Sequence, residues 1–102
     1  MMPRDEKAGS LADFRIFETT RFLKDRERDF SGQRERIQQK LSDYVYPQLR
    51  DNPYGGKHIK KLKNFTPDTW RYRIGDYRFF YTIDGPRKLV SMLAVDHRGR
   101  AY

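Results

Sequence analysis

Residues 70–83 read Trp70-Arg71-Tyr72-Arg73-Ile74-Gly75-Asp76-Tyr77-Arg78-Phe79-Phe80-Tyr81-Thr82-Ile83. Side chains alternate between the two faces of a strand. Arg71 and Arg73 therefore share one face of Trp70–Ile74, and Trp70, Tyr72 and Ile74 share the other. Gly75-Asp76 fits a tight hairpin, since glycine takes a positive φ at little cost. Tyr77 to Ile83 returns as a second strand. Asp84-Gly85-Pro86 turns the chain again. Leu89 to Val95 is nearly all apolar and reads as a central strand covered on both sides. A sheet that buries one face and lines the other with guanidinium groups is suited to phosphate. Arg71, Arg73, Arg78, Arg98 and the last residue, Tyr102, make up that basic set. The carboxylates available to neutralise it are few: Asp76, Asp84 and Asp96.

Upstream, Met1 to Ala12 is polar and of mixed charge, and a flexible tail is expected there. Phe14 and Ile16 alternate with polar residues, which predicts a first strand near Asp13 to Glu18. Thr19 or Thr20 can cap a short helix carrying Phe22 and Leu23 and ending near Asp29. Ser31 can cap a longer one, in which Ile37, Leu41, Tyr44, Val45 and Leu49 form an apolar face. Pro47 should end or kink it, because proline lacks an N–H and clashes with the preceding turn. Asp51-Asn52-Pro53-Tyr54-Gly55-Gly56 is a loop. Ile59 to Phe65, with Lys60, Lys61 and Lys63 around Leu62, begins the sheet region, and Thr66-Pro67-Asp68 marks a turn. The expected architecture is a single α+β domain over 13–102. Two N-terminal helices pack on one face of a small, mainly antiparallel four-stranded sheet, and the first strand joins an edge. The other face is left concave and basic.

The chain has 102 residues, enough for one domain with one modest core. It carries 22 Lys and Arg against 14 Asp and Glu, a formal charge of +8 that favours an anionic partner such as nucleic acid, an acidic protein or an anionic membrane surface. The absence of cysteine excludes disulfides, thiolate catalysis and Cys-based zinc sites. With only His58 and His97, a His-rich metal site is not expected, and no metal or other cofactor is called for. No apolar run approaches the roughly 20 residues of a membrane span. Met1 to Gly9 has no apolar core of a secretory signal, so a cytoplasmic location is expected.

The string Trp70 to Arg78, followed by Tyr81 and Ile83-Asp84, resembles the core of the RelE/ParE toxin superfamily. Asp96-His97-Arg98-Gly99-Arg100-Ala101-Tyr102 is similar to its closing segment, and Lys60-Lys61-Leu62-Lys63 to the basic stretch before the core. The helical segment ending at Asn52-Pro53 is similar as well. The likeness runs from Asp13 to Tyr102 and is strongest from Ile59. It implies a RelE-like fold, a toxin of a type II toxin–antitoxin pair, and a cognate antitoxin that covers the basic face. The RelE branch enters the ribosomal A site and cuts mRNA. The ParE branch poisons DNA gyrase and lacks the basic catalytic set. That set is present here, so the implied activity is a ribosome-dependent, metal-independent endoribonuclease, an mRNA interferase that arrests translation and growth.

By the same resemblance, Arg71 and Arg73 occupy positions of basic catalytic residues that are often lysine. Arg78 and Arg98 match phosphate-contacting arginines. Tyr102 matches a tyrosine that stacks on a base or orients the phosphate, and Lys60, Lys61 and Lys63 are RNA-binding candidates. Arginine stays protonated and is a poor general base. His97 is then the candidate for proton transfer, although strand alternation sets it opposite to Arg98. Plainer readings stand beside these. Arg71 and Arg73 can be a solvated strand face, Arg78 can pair with Asp76 or Asp84, and His97 can be structural. Tyr102 can be a frayed end, and Lys60 and Lys61 a charged edge that deters strand pairing. The competing functions are a gyrase poison and a non-catalytic basic module that binds RNA or protein.

Overall fold

The computed structural model describes residues 13–28 and 34–97. Strand β1 (Arg15–Glu18) leads into helix α1 (Thr20–Glu27). A second helical rod follows: α2 (Arg34–Lys40), a π turn (Leu41–Val45) and α3 (Tyr46–Asp51). The sheet is completed by β2 (Ile59–Lys61), β3 (Trp70–Ile74), β4 (Tyr77–Asp84) and β5 (Leu89–His97). The strand order is β1-β5-β4-β3-β2. The sheet thus has five strands and is mixed, where the sequence predicted four, mainly antiparallel. The difference lies in β2, three residues long and paired only with β3, and in β1, an edge strand that runs parallel to β5. The expected tail at 1–12, the Ser31 cap, Arg98 and Tyr102 lie outside the described residues.

Alternation decides which face is buried. Tyr72, Tyr77, Phe79, Tyr81, Val90, Met92 and Val95 point to one side, where Phe22, Ile37, Leu41, Val45 and Leu49 of the helices close over them. Trp70 and Ile74 are partly buried against the same core. Tyr81 is fully buried and donates its hydroxyl proton to the Pro53 carbonyl at 2.8 Å, which ties the loop after α3 to the sheet centre. β5 is an interior strand, but only one of its faces is sealed. Leu89, Ser91, Leu93 and Ala94 remain half-exposed on the other.

Two local devices escape the apolar pattern. Pro47 does not stop the rod, which continues to Asp51. The Tyr46 N–H bonds back to the Leu41 carbonyl, five residues away, so the helix widens just ahead of the proline. An i, i+4 stripe in an ordinary α-helix drifts about 40° per step. The wider turn takes some of that drift back and keeps Ile37, Leu41, Val45 and Leu49 in line. Tyr44, expected on this face, is 51% exposed. The second device closes the free end of β5. β1 stops at the Glu18–Met92 pair, leaving the outer edge of β5 unpaired beyond it. Thr19 caps α1 by accepting the Phe22 N–H and donates its own hydroxyl to the Met92 carbonyl at 2.7 Å. Asp25, on the same helix and buried, accepts the Val95 N–H at 3.1 Å.

Candidate functional site: a basic sheet face

On the face away from the core, the β3–β4 ladder sets Arg73 directly opposite Arg78, and Arg71 opposite Phe80. β2 adds Lys60 opposite Arg71. β5 adds Asp96 opposite Arg78 and Ala94 opposite Phe80. Directly paired residues have Cβ atoms only about 5 Å apart, and like charges so placed repel. The Arg73–Arg78 pairing therefore works against stability, the kind of local conflict found at functional sites. One carboxylate offsets it: Asp96 Oδ2 lies 3.1 Å from Arg78 Nη2. Asp96 thus pairs with Arg78, a carboxylate the sequence reading had not matched to it, and Asp84, one of the two partners suggested, pairs with Arg87. Among the described residues, no carboxylate comes within 4.0 Å of the Arg71 or Arg73 guanidinium. Arg71 Nε is buried and makes no hydrogen bond, so this side chain is held dry along part of its length.

Arg71, Arg73 and Lys60 line one open groove together with Lys57, His58 and Gly75. Gly75 takes φ +59° in the hairpin turn, a backbone that favours glycine and lets β3 fold straight back as β4. His58 is partly buried, its ring 5.3 Å from Tyr72 and nearly parallel to it. The His58 carbonyl accepts the Arg73 N–H at 2.9 Å and so fixes the start of this edge. Lys57 and His58 were not singled out from the sequence; a register extending β2 backwards would have placed them beside Arg73.

Other candidates fall elsewhere. His97 pairs with Tyr77, its ring 4.9 Å from that of Tyr77, and lines a cleft on the helix side with Arg36, Lys40 and Asp76. It stands across the sheet from the arginines because it follows Asp96 by one residue. Lys61 pairs with Trp70 and faces the same side as His97. Its Nζ is 3.3 Å from Asp68 and 5.9 Å from the Trp70 ring centre. Lys63 is exposed in the turn after β2. Among the described residues, no three His, Asp or Glu side chains gather to hold a metal ion, and no helix is long and apolar enough to cross a membrane.

A second groove, of about 480 Å³, adjoins the arginines on this face and also holds Asp96. Its walls are Phe80, Leu93 and Ala94 of the sheet, Arg21 and Arg28 of α1 and its C-terminal end, and Phe65 of the loop before β3. Leu93 is an extra residue in the ladder, since Phe80 pairs with Ala94 and Tyr81 with Met92. Such bulges bend a strand and re-aim side chains. Arg28 and Asp25 form an ion pair at the groove's rim.

A family model described as the ParE toxin of type II toxin–antitoxin systems, parDE, matches residues 16–102. No individually curated protein matches in sequence. Among solved structures, the toxin–antitoxin complex RelBE2 of Mycobacterium tuberculosis contains a chain 26% identical, with a TM-score of 0.70, covering 85% of this chain and 93% of that one. The RelE–RelB complex of Pyrococcus horikoshii gives 22% identity and a TM-score of 0.62, over 86% of this chain and 98% of that one. The isolated RelE toxin of Escherichia coli gives 21% and 0.59, over 82% and 83%. At the latter two identities the likeness is one of fold.

Proposed function

This chain belongs to the ParE toxin family of type II toxin–antitoxin systems, within the RelE/ParE superfamily, and on that premise we propose that it is a toxin that cleaves mRNA on the ribosome. The observation that carries the reading is the gathering of Arg71, Arg73 and Arg78 on one open sheet face, with Asp96 ion-paired to Arg78 and, among the described residues, no carboxylate ion-paired to Arg71 or Arg73. In the proposed reaction the RNA 2′-oxygen attacks the adjacent phosphorus and the 5′-oxygen leaves. A cyclic phosphate remains on one fragment and a hydroxyl on the other. Guanidinium groups suit the charge that builds on the phosphoryl oxygens, because they stay protonated and present paired donors. Charge placed in advance of the reaction is often the largest catalytic term.

Neither Arg71 nor Arg73 can accept the 2′-hydroxyl proton. We assign that role to His58, at the β2 edge of the arginine groove with its ring stacked on Tyr72, rather than to His97, which lies on the helix side of the sheet. Arg98 and Tyr102 complete the proposed set as a second phosphate contact and a base-stacking group. Lys60 and Lys63 are placed along the RNA backbone. Lys61, turned to Asp68, is given no such role. A cognate antitoxin is proposed as the neutralising partner that covers the basic face. Two of the similar solved chains come from toxin–antitoxin complexes, RelBE2 of Mycobacterium tuberculosis and RelE–RelB of Pyrococcus horikoshii.

A second reading has its own support. The matching family model is that of the ParE toxin, and Asp96 already occupies Arg78. A gyrase poison built on this scaffold would leave translation intact at first. Expression of the chain alone separates the two. The proposed activity gives growth arrest with cut mRNA on stalled ribosomes and no trapped gyrase–DNA complex. Trapped complex with intact mRNA, and toxicity that survives Arg73→Ala and Arg78→Ala, would establish the gyrase reading instead.

A further inference from the structure

Phe65 is a large aromatic left 53% exposed at the tip of the loop between β2 and β3. The loop is not slack. Leu62 N–H donates to the Thr69 carbonyl at 2.9 Å across its base, and the Thr69 hydroxyl to the Pro67 carbonyl at 3.0 Å. The loop thus holds the Phe65 ring over the 480 Å³ groove, with Phe80, Leu93 and Ala94 as its floor. The groove is continuous with the arginines: Phe80 is the cross-strand partner of Arg71, and Asp96 belongs both to the groove and to the Arg78 pair. Arg21 stands on its far side, beside the Arg28–Asp25 ion pair.

A flat apolar slot flanked by guanidinium groups on both sides matches a nucleotide, whose base is planar and apolar on its faces and whose phosphates are anionic. An acidic peptide would satisfy the arginines but leave an exposed ring and an apolar floor with nothing flat to cover. Building on the proposed RNA-cleaving activity, we infer that the Phe65–Phe80 groove is a base-stacking subsite for a nucleotide of single-stranded RNA next to the one held at Arg71, Arg73 and Arg78. Aromatic stacking tolerates any base, so this subsite supplies grip and register rather than sequence choice.

The test uses the full chain and a short single-stranded oligoribonucleotide made uncleavable by 2′-O-methylation, with affinity measured by fluorescence anisotropy over a series of salt concentrations. Phe65→Ala is expected to weaken binding about tenfold, the size of one lost stack. The factor should be the same at every salt concentration, because no phosphate contact is removed. Phe65→Trp should restore affinity, and its indole emission should be quenched on binding. Arg73→Ala should instead lower the slope of log affinity against log salt by about one. The inference is overturned if Phe65→Ala binds like wild type while Arg73→Ala is impaired. It is equally overturned if Phe65→Ala loses only affinity for a purified antitoxin, which would make the groove a protein-docking surface. If wild type fails to bind this RNA at any salt concentration the subsite falls, whereas the ribosome-dependent cleavage is judged separately, by mapping cut mRNA on stalled ribosomes.

Discussion

Arg78 is the arginine whose charge is shared. Its side chain and that of Asp96 are 23% and 31% exposed, so solvent screens the pair and its contribution to stability is about 0–1 kcal/mol. Asp96→Asn should therefore shift the urea midpoint little. It should raise affinity for RNA several-fold by removing a carboxylate that competes with phosphate for Arg78, an outcome readable in the same anisotropy assay. Unchanged affinity would show that Arg78 does not meet phosphate. His58 and His97 make a matched pair of controls, one at the edge of the arginine groove and one in the cleft on the helix side. His58→Gln is expected to lower mRNA cleavage by at least tenfold with little change in RNA affinity, the mark of a proton-transfer group. His97→Gln should leave cleavage near wild type. Tyr81 belongs to stability alone. Tyr81→Phe strands the buried Pro53 carbonyl and should cost about 1–3 kcal/mol, measured by denaturant unfolding.

The β3–β4 hairpin carries most of the architecture, and its bounds, turn and buried face could be read from the chain because alternation and Gly75 agree. Trp70–Ile74 forms as read and the strand read as Tyr77 to Ile83 runs one residue further, to Asp84, with Tyr72, Tyr77, Phe79 and Tyr81 inside. The placement of Arg71, Arg73 and Arg78 on one face follows from the same period and the two-residue turn. β5 was harder. In a run as apolar as Leu89–Val95 no alternation marks the faces, so neither the bulge at Leu93 nor the half-open side was legible. The π turn was hidden because Pro47 is a stop signal only when the preceding turn is α-helical. Nor does any local pattern mark Asp25 as the group that satisfies Val95, since that bond spans 70 residues. Its weight is testable. Asp25→Ala should cost about 1–3 kcal/mol by orphaning a buried N–H. Amide exchange at Val95 should accelerate with it, and protection unchanged from wild type would remove Asp25 from the edge-closing role.

The whole molecule joins a tyrosine-rich core to a basic surface, and each half has its own response to conditions. Burial pushes the Tyr81 pKa up. Burial, followed by the hydrogen bond to the Glu18 carboxylate, does the same to Tyr46. Both lie above the ordinary phenol value in the folded chain, so folding holds these protons more tightly than unfolding does. Their contribution is present in full below pH about 10 and is lost as pH rises above it. Denaturant midpoints should fall as pH rises above about 10, and Tyr46→Phe should flatten that fall; an equal slope in the variant would exclude Tyr46 as a source. The surface half is judged by chemistry. Purified toxin is added to ribosomes stalled on a defined mRNA, and 5′ ends are mapped for wild type beside Arg73→Ala and Arg78→Ala. Cleavage by wild type and a loss of roughly 10²-fold in either variant is the expected result, the size of removing one transition-state charge donor. Intact mRNA with wild type, or equal cutting by all three proteins, would contradict the role given to the arginine face.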